Sequence, residues 1–315
     1  MYDLVIIGAA AAGCTAAVYA ARRNLNFIII TKDIGGEVAL SGEVENWPGQ
    51  IHTTGIQLAQ DFHKHVASYN TNIKNGLSVT SIAQEGKHHI INTDDGTGKT
   101  ESFSTKAIII SSGIHPRTLG ITGEETLRGK GITYCTVCDG PLYKNKITVT
   151  IGSGNAALES ALMMATLAKK VYLLSKYPDT KEAKGGFPKG ENILIDKIKK
   201  ISNVEIIYGS ITTKILGTDF VTGIEYTDSN GANQTLATDG AMIHIGMIPN
   251  SDFIDSVAKN PIKEIIVSQK CETSIPGIFA AGDVTNIPYK QISIAAGQGA
   301  VAALAAIEYT NLFQE

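Results

Sequence analysis

An apolar strand running straight into a glycine-rich turn occurs twice in this chain of 315 residues, and no other feature limits the possible folds so sharply. Tyr2 to Ile7 leads into Gly8-Ala-Ala10-Ala-Ala-Gly13, a helical run to about Arg23, and a second strand from Asn26 to Thr31. Lys146 to Ile151 leads into Gly152-Ser-Gly154-Asn155-Ala156-Ala157, a helix to Ala168, and a strand from Lys170 to Leu174. A strand–turn–helix–strand unit of this kind binds dinucleotides: the first glycine permits the tight turn, and amides at the helix N-terminus hold the pyrophosphate. The first copy departs from the pattern in two places. Its second glycine is Ala10, whose methyl group is expected to push the turn out slightly. Thr31 and Lys32 stand where an acid usually meets the ribose, with Asp33 the nearest acid.

Each copy is followed by short alternating strands. Those from Ser78 to Ile110 break at Asp94-Asp95-Gly96 and end in Ser111-Ser112-Gly113; those from Val204 to Ile245 turn at Ser229-Asn230-Gly231 and end in His244-Ile245-Gly246. The tail, a strand from Ile278 into Gly282-Asp283 and an Ala-rich helix from Ala295 to Tyr309, is not needed to finish the second unit. It is expected to return to the first. The expected fold class is therefore α/β: two Rossmann-like dinucleotide-binding domains, the second inserted into the first, each with a small β-meander. The boundaries fall at 1–115 with 247–315 for one domain and 118–244 for the other.

Just ahead of the second glycine turn lies Tyr134-Cys135-Thr136-Val137-Cys138-Asp139-Gly140. Two cysteines spaced this way can close a reversible disulfide and exchange electrons through a stabilised thiolate. Half of a zinc site is the alternative. It needs two further ligands, but Cys14 and Cys271 lie inside other motifs and no suitable histidine pair follows. The pair reads as a redox-active dithiol. Asp139 suits proton transfer to a departing thiolate, against the plainer reading of a turn-forming Asp before Gly140. His63 and His65 are expected on the surface of an amphipathic helix over Thr53–Tyr69, and His88 and His89 on opposite faces of a strand.

Composition narrows the setting. A net charge of −3 without a basic run gives no footing for nucleic acid or an anionic membrane. The uncharged run Val5–Ala21 is short, Gly- and Ala-rich, and followed rather than preceded by Arg22 and Arg23, so neither a spanning helix nor a secretory signal is expected. Four cysteines with one close pair suit a reducing compartment, and the expected location is cytoplasmic.

These motifs, with Gly35-Gly36, Glu45 to Gly49, Gly246-Met-Ile-Pro-Asn250, Ala280 to Asp283 and Lys290-Gln291, resemble the low-molecular-weight thioredoxin reductases over almost the whole chain. The resemblance implies FAD on the first unit, placed against Gly8, Ala10, Gly13, Asp33, Gly36, Glu37, Asn46, Gly113, Gly282, Asp283, Lys290, Gln291 and Ile292. Asp283 would accept hydrogen bonds from the ribityl chain. It implies NADPH or NADH on Gly152, Gly154, Asn155, Ala156 and Ala157, with Lys176 and Lys181 near the phosphate. Electrons would pass through FAD to Cys138, which faces the flavin, and leave through Cys135 to a thioredoxin-like protein, aided by Asp139 and by rotation of the nested domain about its two linkers. A homodimer is typical of the family. The departures are Ala10, Glu37 in place of the usual Gln, and the region after Leu174, where neither the arginines that favour NADPH nor the Glu that favours NADH appears. Weak discrimination leaning to NADPH follows.

Cys138 to Leu142, Lys270 to Thr273 and Pro288 to Gln291 are also similar to the flavoprotein component of alkyl hydroperoxide reductase. Because the flavin fingerprint starts within the first ten residues, a dithiol carrier for that pathway is expected on a separate polypeptide. Two other readings stay open: a ferredoxin-type donor in place of the nicotinamide, and a flavin-fold interaction or sensor protein without turnover.

Overall fold

The computed structural model describes residues 1–41, 43–180 and 182–313; Lys181, expected at the nucleotide phosphate, lies outside them. The chain divides into two compact units, Met1–His115 with Ile248–Glu315, and Pro116–Met247.

The first unit opens with β1 (Tyr2–Ala9), α1 (Ala11–Arg22), β2 (Phe27–Ile34), α2 (Gly36–Leu40), a small ladder of β3 (Glu43–Val44) and β4 (Thr53–Thr54), and α3 (Gly55–Ala67). It continues through β5 (Asn72–Asn75), β6 (Ser78–Glu85), β7 (His88–Asp94), β8 (Thr100–Ile110) and β9 (Ile114–Pro116). The sheet order is β5-β2-β1-β8-β7-β6. From β5 to β8 it is parallel; β7 and β6 then continue it antiparallel, so the first meander extends the parallel sheet rather than forming a separate one. Leu4, Val5 and Ile6 of β1 and Ile28 to Ile30 of β2 are fully buried. Unbroken aliphatic runs of this kind are what strands covered on both faces require.

The second unit contains β10 (Ile132–Thr133), α4 (Thr136–Asp139), a 3-10 turn over Gly140–Tyr143, β11 (Ile147–Ile151), α5 (Asn155–Leu167), β12 (Lys170–Leu174) and α6 (Asn192–Ile198). β13 (Val204–Ile207), β14 (Ile211–Gly217), β15 (Val221–Thr227), β16 (Asn233–Ala237) and β17 (Gly240–Ile243) complete it. Here the expectation of a single meander needs correction. The run from Val204 to Ile245 is split: β13 and β17 belong to a parallel sheet ordered β10-β17-β11-β12-β13, and only β14 to β16 form an antiparallel ladder. Short apolar strands look alike in sequence whether their neighbours run parallel or not.

The chain then returns through β18 (Met247–Pro249), which pairs with β9, to β19 (Ile278–Ala280), parallel to β8, and α7 (Ile292–Asn311). Among the described residues α7 is the one helix long and apolar enough to cross a membrane, yet half of it is buried within the protein. The reason is visible in its contacts. Gly299 of α7 lies so close to α1 that a Cβ would meet the Ala12 carbonyl oxygen at 2.2 Å. Alanines at 12, 16, 20, 302, 303 and 306 share one buried cluster, and two helices with such small side chains can pack backbone to backbone.

Candidate active site

Cys135 and Cys138 form a disulfide with Cα atoms 5.3 Å apart. Cys135 caps α4, its Sγ accepting the Cys138 N–H at 3.3 Å. Thr133 holds the turn from one side: its Oγ1 accepts the Cys135 N–H at 3.1 Å and donates to Asp139 Oδ2. Thr136 holds it from the other, with Oγ1 2.6 Å from Ser160 Oγ on α5 and 2.7 Å from His244 Nε2. Asp139 also faces the buried Tyr143, whose phenol is pushed up to about 12 by burial and then by that carboxylate. Thr133, Thr136, Ser160 and His244 are not among the residues the sequence singles out. Small hydroxyls and a lone histidine carry no spacing signal until the fold brings them together. The other two cysteines are buried thiols, Cys14 pushed up to about 12 and Cys271 to about 11 by burial.

In the first unit, Gly8 has φ +105°, and a Cβ on it would meet Ser111 O at 2.4 Å. Ala10 needs no such freedom. It is the N-cap of α1 with φ −106° and ψ −159°, ordinary extended backbone, and its methyl faces Gly36, where a Cβ would lie 3.5 Å away. The Ala10 methyl therefore sits beside Gly36 without a left-handed backbone. Asp33 Oδ1 accepts the Gly36 N–H at 3.1 Å, which shapes the loop into α2 and Glu37. Asn46 Nδ2 donates to Gln291 Oε1 at 3.1 Å, joining the Trp47 loop to the cap of α7, where Ile292 begins the helix. Gly113 is left-handed, φ +69°, with open space beside it. Gly282, φ +77°, donates its N–H to the buried Gln298 Oε1 at 2.8 Å and so orients Asp283.

Lys290 is expected along the cofactor, but its ammonium engages Thr285 O at 2.6 Å, Ile287 O at 3.0 Å and Glu264 Oε1 at 2.8 Å. With all three donors engaged, it braces the loop ahead of α7. Asp283 is the opposite case. Burial outweighs the nearby Lys290 and pushes its carboxyl up to about 6, and among the described residues no hydrogen bond to it contributes.

These residues fit a bound dinucleotide. The first turn of α1 has neither a side-chain cap nor an acid, Gly8 and Gly36 leave a cradle that side chains would fill, and Asp283 offers an acceptor to hydroxyl donors.

In the second unit the turn is as tight: a Cβ on Gly152 would meet His244 O at 2.3 Å. Gly154 caps α5, whose first turn again has no side-chain cap and no acid; Asn155 starts the helix, Ala156 follows, and Ala157 is fully buried. Asn155 exchanges two hydrogen bonds with Glu191, at 2.9 and 2.8 Å. Lys189 bridges to Gly154, and Asn155, Lys184, Lys189, Gly190, Glu191 and Asn192 line one open cleft. Ser175, the residue after β12, is fully buried and donates to Gly186 O at 2.7 Å. Lys176 is exposed, its Nζ 5.1 Å above the Tyr177 ring. Lys184 and Lys189 lie in the stretch after Leu174 that carries no pattern of its own; Phe187, completely buried between them, anchors it.

The family model for pyridine nucleotide-disulphide oxidoreductases matches residues 2–299. The F subunit of alkyl hydroperoxide reductase from Escherichia coli K12 is 36% identical over 98% of this chain, and the chain spans 58% of that protein's length. Its Staphylococcus aureus counterpart is also 36% identical, with 98% of this chain and 59% of that protein covered. Thioredoxin reductase from Streptococcus pyogenes superposes with a TM-score of 0.87 at 32% identity, with 99% of both chains covered. The thioredoxin reductase of T. acidophilum gives 0.67 at 36% identity, with 98% of both chains covered. The chain belongs to the pyridine nucleotide-disulphide oxidoreductases, and the family with its structural neighbours implies FAD and a pyridine nucleotide. The Cys135–Cys138 disulfide lies within the residues that the family model matches.

Proposed function

We propose that this reductase takes electrons from NADPH in preference to NADH and delivers them, through the Cys135–Cys138 dithiol, to the disulfide of a thioredoxin-like protein. The observation that carries this reading is the disulfide turn itself, capped by its own sulfur and hydrogen-bonded directly to the helix that follows the second glycine turn. FAD, when bound, would supply two-electron transfer between the nicotinamide and the disulfide. In the residues' own terms, Gly8, Ala10, Gly13, Gly36, Glu37, Asn46, Gly113, Gly282, Gln291 and Ile292 form the flavin cradle, and Asp33 shapes it. Asp283 would accept hydrogen bonds from the ribityl hydroxyls. Asp139, held by Thr133, is placed one residue after Cys138 to give and take the thiol proton. Val137 and Leu142 are 56% and 53% exposed beside the pair, apolar surface suited to a protein partner. A homodimer is part of the proposal, tested by sedimentation of the holoenzyme.

Anaerobic titration of flavin absorbance with NADPH, NADH and reduced ferredoxin in parallel tests the donor. Purified protein is expected to be yellow, with about one FAD per chain. Colourless protein that also ignores added FAD supports the sensor reading instead. The ferredoxin reading has a structural relative, a ferredoxin-flavin thioredoxin reductase from Clostridium acetobutylicum with a TM-score of 0.52 at 28% identity. The likeness to the F subunit of alkyl hydroperoxide reductase supports a second role, a part in reducing alkyl hydroperoxides.

Ser175, with its hydroxyl engaged, cannot select between nucleotides, so the lean to NADPH rests on Lys176, Lys184 and Lys189. Changing Lys176 and Lys189 together to Ala is expected to cut the NADPH-over-NADH ratio of kcat/KM about tenfold, the value of one charge-assisted phosphate contact. An unchanged ratio refutes the assignment.

Asp283 gives a pH test. Its carboxyl, raised to about 6, is charged above that pH and protonated below it. The charged form is the stronger acceptor, so FAD affinity is expected to be level above about pH 6 and to weaken as the pH falls below it. Asp283→Asn should bind FAD about tenfold more weakly and lose that step. Flavin fluorescence titrations that show a flat profile for the native protein contradict the role.

A further inference from the structure

His244 follows β17 as Ser111 follows β8 in the first unit, and their backbones do the same work. Each N–H donates at 2.8 Å to the last strand residue before the glycine turn, Ser111 to Ile7 O and His244 to Ile151 O. Each carbonyl presses against the first turn glycine, leaving no room for a Cβ at Gly8 or Gly152. The side chains diverge. Ser111 Oγ turns back and donates to Ile7 O at 2.7 Å, within its own nucleotide turn. His244 reaches the cysteine turn instead, with Nε2 2.7 Å from Thr136 Oγ1. Thr136 Oγ1 also lies 2.6 Å from Ser160 Oγ on α5, and both hydroxyl residues are 4% exposed. A dinucleotide turn does not need this bridge, since the first unit does without it. Burial holds the imidazole down to about 4, so around neutral pH it is an uncharged hydrogen-bonding group.

We propose that His244 is a positioning residue for the redox pair: it pins Thr136, which stands between the cysteines, and so holds the Cys135–Cys138 turn closed against α5. This rests on the reading of the pair as the redox centre. How readily a dithiol closes depends on how often its sulfurs meet, and a pinned turn raises their effective concentration. Loosening the pin favours the open dithiol.

The test equilibrates the full-length protein with glutathione, where disulfide plus two GSH gives dithiol plus GSSG, and counts the two forms by alkylation and mass. His244→Ala is expected to shift the equilibrium about fivefold toward the dithiol, as for the loss of one net hydrogen bond. Thr136→Val, which also removes the bond to Ser160 Oγ, should shift it at least as far, and the double variant no further than Thr136→Val alone, because His244 acts only through Thr136. His244→Gln, whose amide can reach Thr136 Oγ1, should restore the native value. A native equilibrium in Thr136→Val, additive effects in the double variant, or no rescue by Gln overturns the proposal. If His244→Ala does not fold, Thr136→Val and His244→Gln still decide it. Donor, flavin reduction and protein partner do not enter this equilibrium, so its failure is separate from failure of the proposed electron route.

Discussion

Cys135→Ser and Cys138→Ser are each expected to lose disulfide-reductase turnover by at least about a thousandfold, while the bound flavin is still reduced by its nucleotide donor at the native rate. The split follows from the order of events. In the proposed route the flavin is loaded before the dithiol is used, so a lost sulfur stops only what lies downstream. The expected result is specific to this pair. Cys14 and Cys271 are buried, and burial pushes their thiols up to about 12 and about 11, far from a reactive thiolate at neutral pH. Replacing either with Ala should therefore leave turnover within about twofold, and any cost should appear as stability. Stopped-flow absorbance separates the two half-reactions. Full turnover in either single mutant at 135 or 138 would remove the pair from the mechanism.

The duplicated strand–glycine–helix plan was legible because each of its steps needs particular residues. Only a Gly tolerates φ +105° at position 8 under the carbonyl of Ser111, and only long aliphatic runs suit strands buried on both faces. The cysteine turn was legible for a chemical reason, since few other patterns place two sulfurs so close. What surrounds it was not. Thr136, Ser160 and His244 come from separated stretches, and their hydrogen bonds exist only once α4, α5 and β17 are assembled, while Thr133 acts locally within the cysteine turn. The stretch after Leu174 was illegible for another reason: its loop folds back, and Gly186 O takes the Ser175 hydroxyl. At Ala10 the pattern names glycine, but its φ of −106° is one that any residue adopts, so the backbone there does not demand glycine.

Gly13→Ala is expected to be the most damaging single methyl group that can be added to the flavin unit. Its Cβ would lie 1.9 Å from the carbonyl oxygen of Gly8 and 2.8 Å from Ser111 Oγ. The hydroxyl could turn away, but the carbonyl is backbone in a turn already fixed by the Ser111 N–H bond to Ile7 O at 2.8 Å. Relief therefore requires α1 to move away from β1, which disturbs both the amides proposed to hold the pyrophosphate and the packing of α1 on α7. A loss of about 3 kcal/mol or more is expected, with purified protein carrying little FAD. Two further variants keep the argument testable if Gly13→Ala does not fold. Gly299→Ala, 2.2 Å from Ala12 O, attacks the same helix pair from α7 and should cost about 1–3 kcal/mol. Gly297→Ala, two residues away on the same helix with no atom within 4 Å, should stabilise by about 0.5–1 kcal/mol, as alanine does at an open helical site. Urea unfolding of the three variants beside the native chain, with FAD content read from absorbance, checks the ranking. Gly13→Ala protein with a native midpoint and a full complement of FAD would show that the turn has slack the structure does not allow.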